Sequence, residues 1–380
     1  MKLKFLRTFI INSLVAAVIG SLFVLGGCSE DETTPPVVPT QTILEIVNAD
    51  PELSDLAAYL AGFPDLTALL SGTATHTLFA PNNAAFTSLY ATPGFPANPA
   101  DISLDLIKGV IAYHIVASQV LSTDLSPTGT GAGYATLYNN TNPCTGALTN
   151  QVIKVNDDKT LLTGSTTTNI AIAEADVLAT NGVVHVTGSV LIPPSVGATL
   201  TPILGKLAAT VLLGADFTYL AQAMTKADCG VAGVTPLSNI LADPTGATYT
   251  AFLPPNAVFE GTAQALGGIT VTQLIANFTA QQWRDIILNH LVLGTKASAA
   301  LTNGAVLGTL QNPGTTLLTV ADGTPGNPTT DPSKSPIGKY LTTSGGATSL
   351  GGTSSAPIYL PDLTASNGVA HVVGKILFPN

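Results

Sequence analysis

The stretch NGVVHVTGSVLIPP at residues 181–194 is written a second time as NGVAHVVGKILFPN at residues 367–380. Asn-Gly is a turn dipeptide, because glycine takes positive φ without steric cost. The β-branched run behind it has the pattern of a buried strand, and prolines close it. A chain that carries this phrase twice calls for a search for the rest of the repeat.

Two further landmarks precede each copy in the same order. They are TLFAPNNAAF (77–86) and VIAYHIV (110–116) in the first half, then TAFLPPNAVF (250–259) and IILNHLV (286–292) in the second. The offset between copies widens along the chain, as loop insertions in a duplicated domain would make it do. In the first landmark a strand over 77–80 stops at Pro81, and Asn82 or Asn83 caps a helix beginning near Ala84. In its second copy Pro254 and Pro255 stop the strand and Asn256 offers the cap. Leu106, Val110 and Tyr113, with Ile107, Ile111 and His114, fall at spacings of three and four, which predicts a helix with one buried face. Trp283, Ile286, Ile287 and His290 repeat it. Helical patterns lead each half and strand-like segments (QVIKVND, TNIAIAEADVL, GVVHVTGSVLI) follow, an α+β order.

The set TLFAPNNAAF, then Tyr-His, then ATNGVVHVTGSVLIPP resembles the fasciclin domain, over about 41–194 and more loosely 199–380. The resemblance implies two tandem fasciclin-like domains, 41–196 and 197–380, each a wedge of two β-sheets with helices packed along one side. Only SVGATLT lies free between them, so the two bodies are expected to touch. The second copy departs from the pattern: Leu253-Pro254-Pro255 replaces Ala80-Pro81-Asn82, and Asn289 stands where the family has Tyr. Some animal fasciclin domains carry an Asp-Ile pair implicated, with the Tyr-His element, in integrin adhesion. By that resemblance Tyr113, His114, Asp176 and Val177 are candidate binding residues, with Asp362 and Leu363 at the second copy's dipeptide. Set against them is the plainer reading that these are edge and turn residues.

The first residues form a different kind of segment. Lys2, Lys4 and Arg7 precede an uncharged apolar run over 8–27, as in an export signal. Leu25-Gly26-Gly27-Cys28 resembles the lipobox of bacterial lipoproteins, in which cleavage before the Cys leaves a thiol that carries diacylglycerol. Residues 1–27 are then a signal peptide, and Cys28 is a lipid anchor worth ~0.8 kcal/mol per buried methylene. Residues 28–40, acidic and then Pro-rich, form a semi-rigid tether. Glu30, Asp31 and Glu32 resemble a signal for display on the cell surface, and Ser29 disfavours inner-membrane retention. An outer-membrane location follows as an expectation, with the periplasmic or external side open.

Composition narrows the chemistry. The 380 residues are 46% hydrophobic and only 9% charged, with net charge −10. That excludes nucleic acid and anionic lipid head groups as partners, since both require clustered Lys and Arg. An exterior of neutral hydrogen-bonding groups suits polysaccharide, a surface protein or self-association. Pairing is open to Cys144 and Cys229 in an oxidising compartment, but with no CxxC or metal spacing they read as unpaired or loop-local thiols. His114, His185, His290 and His371 fall at equivalent places in the two copies without a Ser, Cys or carboxylate motif beside them. They read as structural ties, and His76 stands alone. Neither NDD (156–158) nor NADPELSD (48–55) has the alternating oxygen ligands of a calcium loop. No enzyme, cofactor or metal motif is present. The function expected is non-catalytic adhesion at the envelope; the second reading is an accessory subunit docked to another envelope protein.

Overall fold

A computed structural model describes residues 38–379 apart from 129–132, 143, 163–168, 230–232, 244, 312–316 and 344–354. Cys28, Glu30, Asp31 and Glu32 lie outside the described residues. Pro39–Asn380 forms one compact unit. Among the described residues no helix is long and apolar enough to cross a membrane.

Helices lead each copy, as the patterns predict. α1 (Ile43–Ala49) begins at a capping box in which Thr42 and Glu45 each satisfy the other's main-chain N–H. α2 (Ser54–Ala61) and α3 (Pro64–Ser71) follow, the latter opened by a proline at its first position, where no N–H is needed. Ile43 and Val47, Leu56 and Leu60, and Leu66 and Leu70 recur every fourth residue and form the apolar face. Next come β1 (His76–Pro81), α4 (Asn83–Tyr90), α5 (Leu104–Tyr113), β2 (Ile115–Val116), β3 (Tyr134–Thr141) and β4 (Leu148–Val155). β5 (Leu161–Leu162), β6 (Asn169–Ile170), β7 (Ile172–Ala179) and β8 (Gly182–Thr187) complete the copy.

The strand order is β6-β5-β4-β3-β2-β1-β8-β7. Ala171 alone separates β6 from β7, so the two ends of the order are one stretch of chain and the hydrogen-bonded circuit closes. Closure leaves few strand edges open to another chain. The two faces of the wedge are therefore continuous, and they enclose an inner core that includes Phe79, Tyr113, Ile153, Leu161 and Leu191. A second core with Leu60, Leu78, Ile111 and Val184 lies between sheet and helices. β8 lies between the two and is buried at every position, which is why GVVHVT is not an alternating strand.

The second copy repeats the plan. α7 (Leu207–Leu213), α8 (Thr218–Asp228) and α9 (Leu237–Leu241) precede β9 (Tyr249–Leu253). α10 (Asn256–Ala265), α11 (Val271–Asn277), α12 (Ala280–Asn289), β10 (Leu291–Leu293) and β11 (Val306–Gly308) follow. β12 (Leu317–Asp322), β13 (Lys339–Thr343), β14 (Ala356–Ala365) and β15 (Gly368–Val373) end it. Here a bridge between Val292 and Thr309, with the Leu310 N–H donating to Leu291 O at 2.8 Å, closes the circuit.

Four expectations are corrected. SVGATLT is not free: it lies in α6 (Pro194–Ile203), whose Leu200 and Ile203 pack into the second domain's core, and the boundary at 196/197 falls inside this helix. β8 ends at Thr187, before the prolines, because the chain leaves the sheet at Gly188. Asn82 does cap α4, but Asn256 does not cap α10. That position is Pro255, and Asn256 instead accepts the Tyr219 N–H at 3.0 Å and donates to Ala215 O at 2.9 Å. Finally, Cys144 and Cys229 are joined as a disulfide, with Cα atoms 5.1 Å apart across 85 residues of sequence. The bond ties the turn between β3 and β4 of the first domain to the end of α8 in the second.

The two bodies touch, as expected. The Ser103 N–H donates to Leu213 O at 2.8 Å, and the Gly205 N–H to Gly94 O at 3.2 Å. A Cβ on Gly94 would stand 2.4 Å from Gly205 N, so the backbones approach in a way only glycine permits.

Candidate functional site

The repeated phrase is a knot of buried polar groups. Asn181 Nδ2 donates to Leu70 O at 2.8 Å and Gly72 O at 2.9 Å, and its Oδ1 accepts the Ile43 N–H at 2.8 Å. Asn367 makes the same clamp with Leu241 O at 2.7 Å and the Leu207 N–H at 2.9 Å. The side chain thus caps the first helix of its own domain from 138 and 160 residues away. Gly182 and Gly368 follow at φ 142° and 149°, where an added Cβ would lie 1.8 Å from His76 O and 1.9 Å from Tyr249 O.

His185 is the centre of the knot. Its Nε2–H donates to Val120 O at 2.8 Å, its Nδ1 accepts the Asp176 N–H at 3.1 Å, and its ring stacks on Phe79 at 5.3 Å. His371 repeats this with Lys296 O at 2.8 Å, the Asp362 N–H at 3.1 Å and Phe252 at 5.5 Å. Each aspartate sits at a β-bulge with positive φ, 62° for Asp176 and 61° for Asp362, which turns its N–H inward. Aspartate is among the few residues that tolerate this backbone. Its carboxylate then accepts the N–H and hydroxyl of Ser122 in the first domain and of Ser298 in the second.

His114 and His290 use the opposite tautomer. Nδ1–H donates to Val110 O at 2.7 Å and Ile286 O at 2.8 Å, and Nε2 accepts the Leu191 N–H at 2.8 Å and the Leu377 N–H at 2.9 Å. Each imidazole ties the end of a helix to the segment after the last strand. Burial disfavours the charged ring and holds both pKa values down to about 4. Burial lowers His185 and His371 as well. Partial burial raises the Asp176 pKa, but the Ser122 bonds outweigh it; for Asp362 the Ser298 hydroxyl leads, and both carboxyls lie low. A carboxylate oxygen of Asp176 stands 4.0 Å from His185 Nδ1, yet that nitrogen accepts an N–H, so the pair is not an ion pair. Eight ring nitrogens are committed to main-chain bonds, which leaves none to move a proton to a substrate.

The other predicted residues fall in unlike places. Tyr113 is fully buried and its hydroxyl donates to Val152 O at 2.8 Å, so neither it nor His114 faces solvent. Asn289, in the tyrosine's place, donates to Leu377 O at 2.9 Å while its Oδ1 is left without a partner. Asp176 and Val177 are half-buried, Asp362 is exposed, and half-buried Leu363 lines a cleft between the domains. Tyr113-His114 and Asp176-Val177 therefore do not form one surface. Among the described residues no group of three or more His, Cys, Asp or Glu is placed to hold a metal ion. Sequence reasoning missed the Asn181 and Asn367 clamps, the Ser122 and Ser298 partners, and Thr77 and Thr250. Each of these threonines accepts one loop N–H and donates to one loop carbonyl. Their recurrence in both copies was the available signal.

A model of the fasciclin domain matches residues 51–193 and 216–379. The chain belongs to the fasciclin-domain family. Its tandem fasciclin domains are similar to the transforming growth factor-beta-induced protein ig-h3 of Sus scrofa, 25% identical over 312 residues. That match covers 82% of this chain but only 36% of the pig protein's length. Protein sll1483 of Synechocystis is 30% identical over 163 residues, covering 40% of this chain and 74% of that protein. A solved fasciclin domain pair from the insect cell adhesion molecule fasciclin I is 17% identical, with TM-score 0.31 over 86% of this chain and 97% of that one.

Proposed function

We propose that this chain is anchored by lipid on Cys28 at the outer membrane of a bacterial envelope and acts by adhesion, holding matrix, glycan or another surface through its fasciclin pair. The observation that carries the reading is the commitment of all four repeated imidazoles to main-chain bonds. The domains then offer surface rather than a reacting centre. The lipobox-like Cys28 and the tether behind it support anchoring, and the low charge supports contact with neutral polar partners. Protease shaving of intact cells, together with retention of residues 39–380 on whole cells and on polysaccharide columns, tests it. Retention above that of an unrelated acidic protein is expected; no retention on either support overturns the adhesive role.

A further inference from the structure

The interface between the domains is not filled. A cleft of about 650 Å³ opens there, walled on one side by 94–96 and 100–101 of the first domain and on the other by α7, the 214–217 turn, β14 and β15. That size lies within the ~300–1,000 Å³ range of small-molecule sites. Its lining combines an apolar floor, including half-buried Phe95 and Leu363, with polar groups at the rim: Asp101, Asp216, Lys206 and Thr210. Among the described residues, the side-chain oxygens of Asp101, Asp216 and Thr210 have no hydrogen-bond partner in the protein, and neither does that of Thr364 at the cleft.

The two walls are linked covalently at two places. The chain crosses between domains through α6 and Gly205, and the Cys144–Cys229 disulfide supplies a second covalent crossing. A second crossing leaves rotation only about the line through the two, and the Ser103–Leu213 and Gly205–Gly94 main-chain bonds oppose that rotation. Preorganisation of this kind lowers the ordering cost of binding.

We propose that this cleft binds a short neutral oligosaccharide, which rests on the adhesive reading above and names the ligand class for it. The rim carries two charged acceptors, one charged donor and hydroxyls. Groups that both donate and accept, as sugar hydroxyls do, match all of these at once. A simple cation would face Lys206, and an anionic glycan would face both carboxylates. The C–H face of a pyranose ring suits the apolar floor of Phe95 and Leu363.

The test is calorimetric titration of residues 39–380 with cellohexaose, maltohexaose and an oligogalacturonate, beside the retention assay on whole cells. Binding of a neutral hexaose but not of the galacturonate is expected. The Asp101→Ala/Asp216→Ala double variant should weaken it at least tenfold, Thr364→Trp should block it, and Asp331→Ala, remote from the cleft, should leave it unchanged. Asp101, Asp216 and Thr364 are exposed and Asp331 is half-buried, and thermal melts confirm folding of each variant. Equal binding by wild type and cleft variants overturns the proposal while the adhesive reading stands. Retention on cells with no binding of either neutral hexaose does the same. Loss of both retention and binding removes the adhesive reading and this proposal with it.

Discussion

The Nδ1 of His185 accepts the main-chain N–H of Asp176, and the same bond, 3.1 Å in each case, joins His371 to Asp362. A histidine on the last strand thereby holds open a bulge on its neighbour, whose aspartate in turn fastens the loop at Ser122 or Ser298.

Replacing His185 with Ala leaves the Val120 carbonyl and the Asp176 N–H unpaired beside a new cavity. The expected loss is on the order of 3 kcal/mol, seen as a lower urea midpoint at unchanged slope. His371→Ala should do the same in the second domain. A variant as stable as wild type contradicts the tie.

Stability should fall with acid. Unfolded histidine titrates near 6.5, while burial holds folded His114 and His290 at about 4. Between those values the unfolded chain binds more protons, so the stabilisation is complete above pH 6.5 and is lost by about pH 4, at up to roughly 1.4 kcal/mol per pH unit for each ring. Asp176 and Asp362, held low, extend the loss to lower pH, whereas Asp228, raised by burial, is relieved as it protonates. Urea midpoints at pH 7.5 and 4.5 check the sign; equal values contradict it.

Gly182→Ala forces a Cβ to within 1.8 Å of His76 O and should abolish folding of the first domain, as Gly368→Ala should of the second. Gly146 also has positive φ, 71°, but its Cβ would meet nothing within 4 Å, so Gly146→Ala should cost only about 1 kcal/mol. Circular dichroism melts of the three variants separate close approach from backbone conformation alone.

Reduction of Cys144–Cys229, or Cys144→Ser/Cys229→Ser, reopens a loop of 85 residues. The chain-entropy model gives a loss of about 4–5 kcal/mol. Because the bond spans the domains, reduction should also split one melting transition into two. A single unshifted transition contradicts the role of the second crossing.

Much of this was legible in sequence. The repeat specified two domains because residues such as Gly182 and His185 answer to local geometry that each copy must reproduce. The disulfide was not legible, since pairing of Cys144 with Cys229 depends on how two finished domains meet. α6 was hidden because Gly197 and Pro202 mask its pattern; only Val196, Leu200 and Ile203 mark a helical face, and the partner that buries it is the second domain. The knot was half legible: the histidines stood out, but Asn181 read as a turn residue because its partner Ile43 lies 138 residues away.

Long-range ¹H–¹⁵N spectra of the imidazoles across pH 5 to 8 test the account at its centre. It predicts Nε2–H tautomers for His185 and His371, Nδ1–H tautomers for His114 and His290, no titration of His114 or His290 in that range, and a midpoint below the ordinary histidine value for His185 and His371. His114 or His290 titrating between pH 5 and 8, or His185 or His371 titrating at or above the ordinary histidine value, would show a free imidazole where the account requires a structural tie.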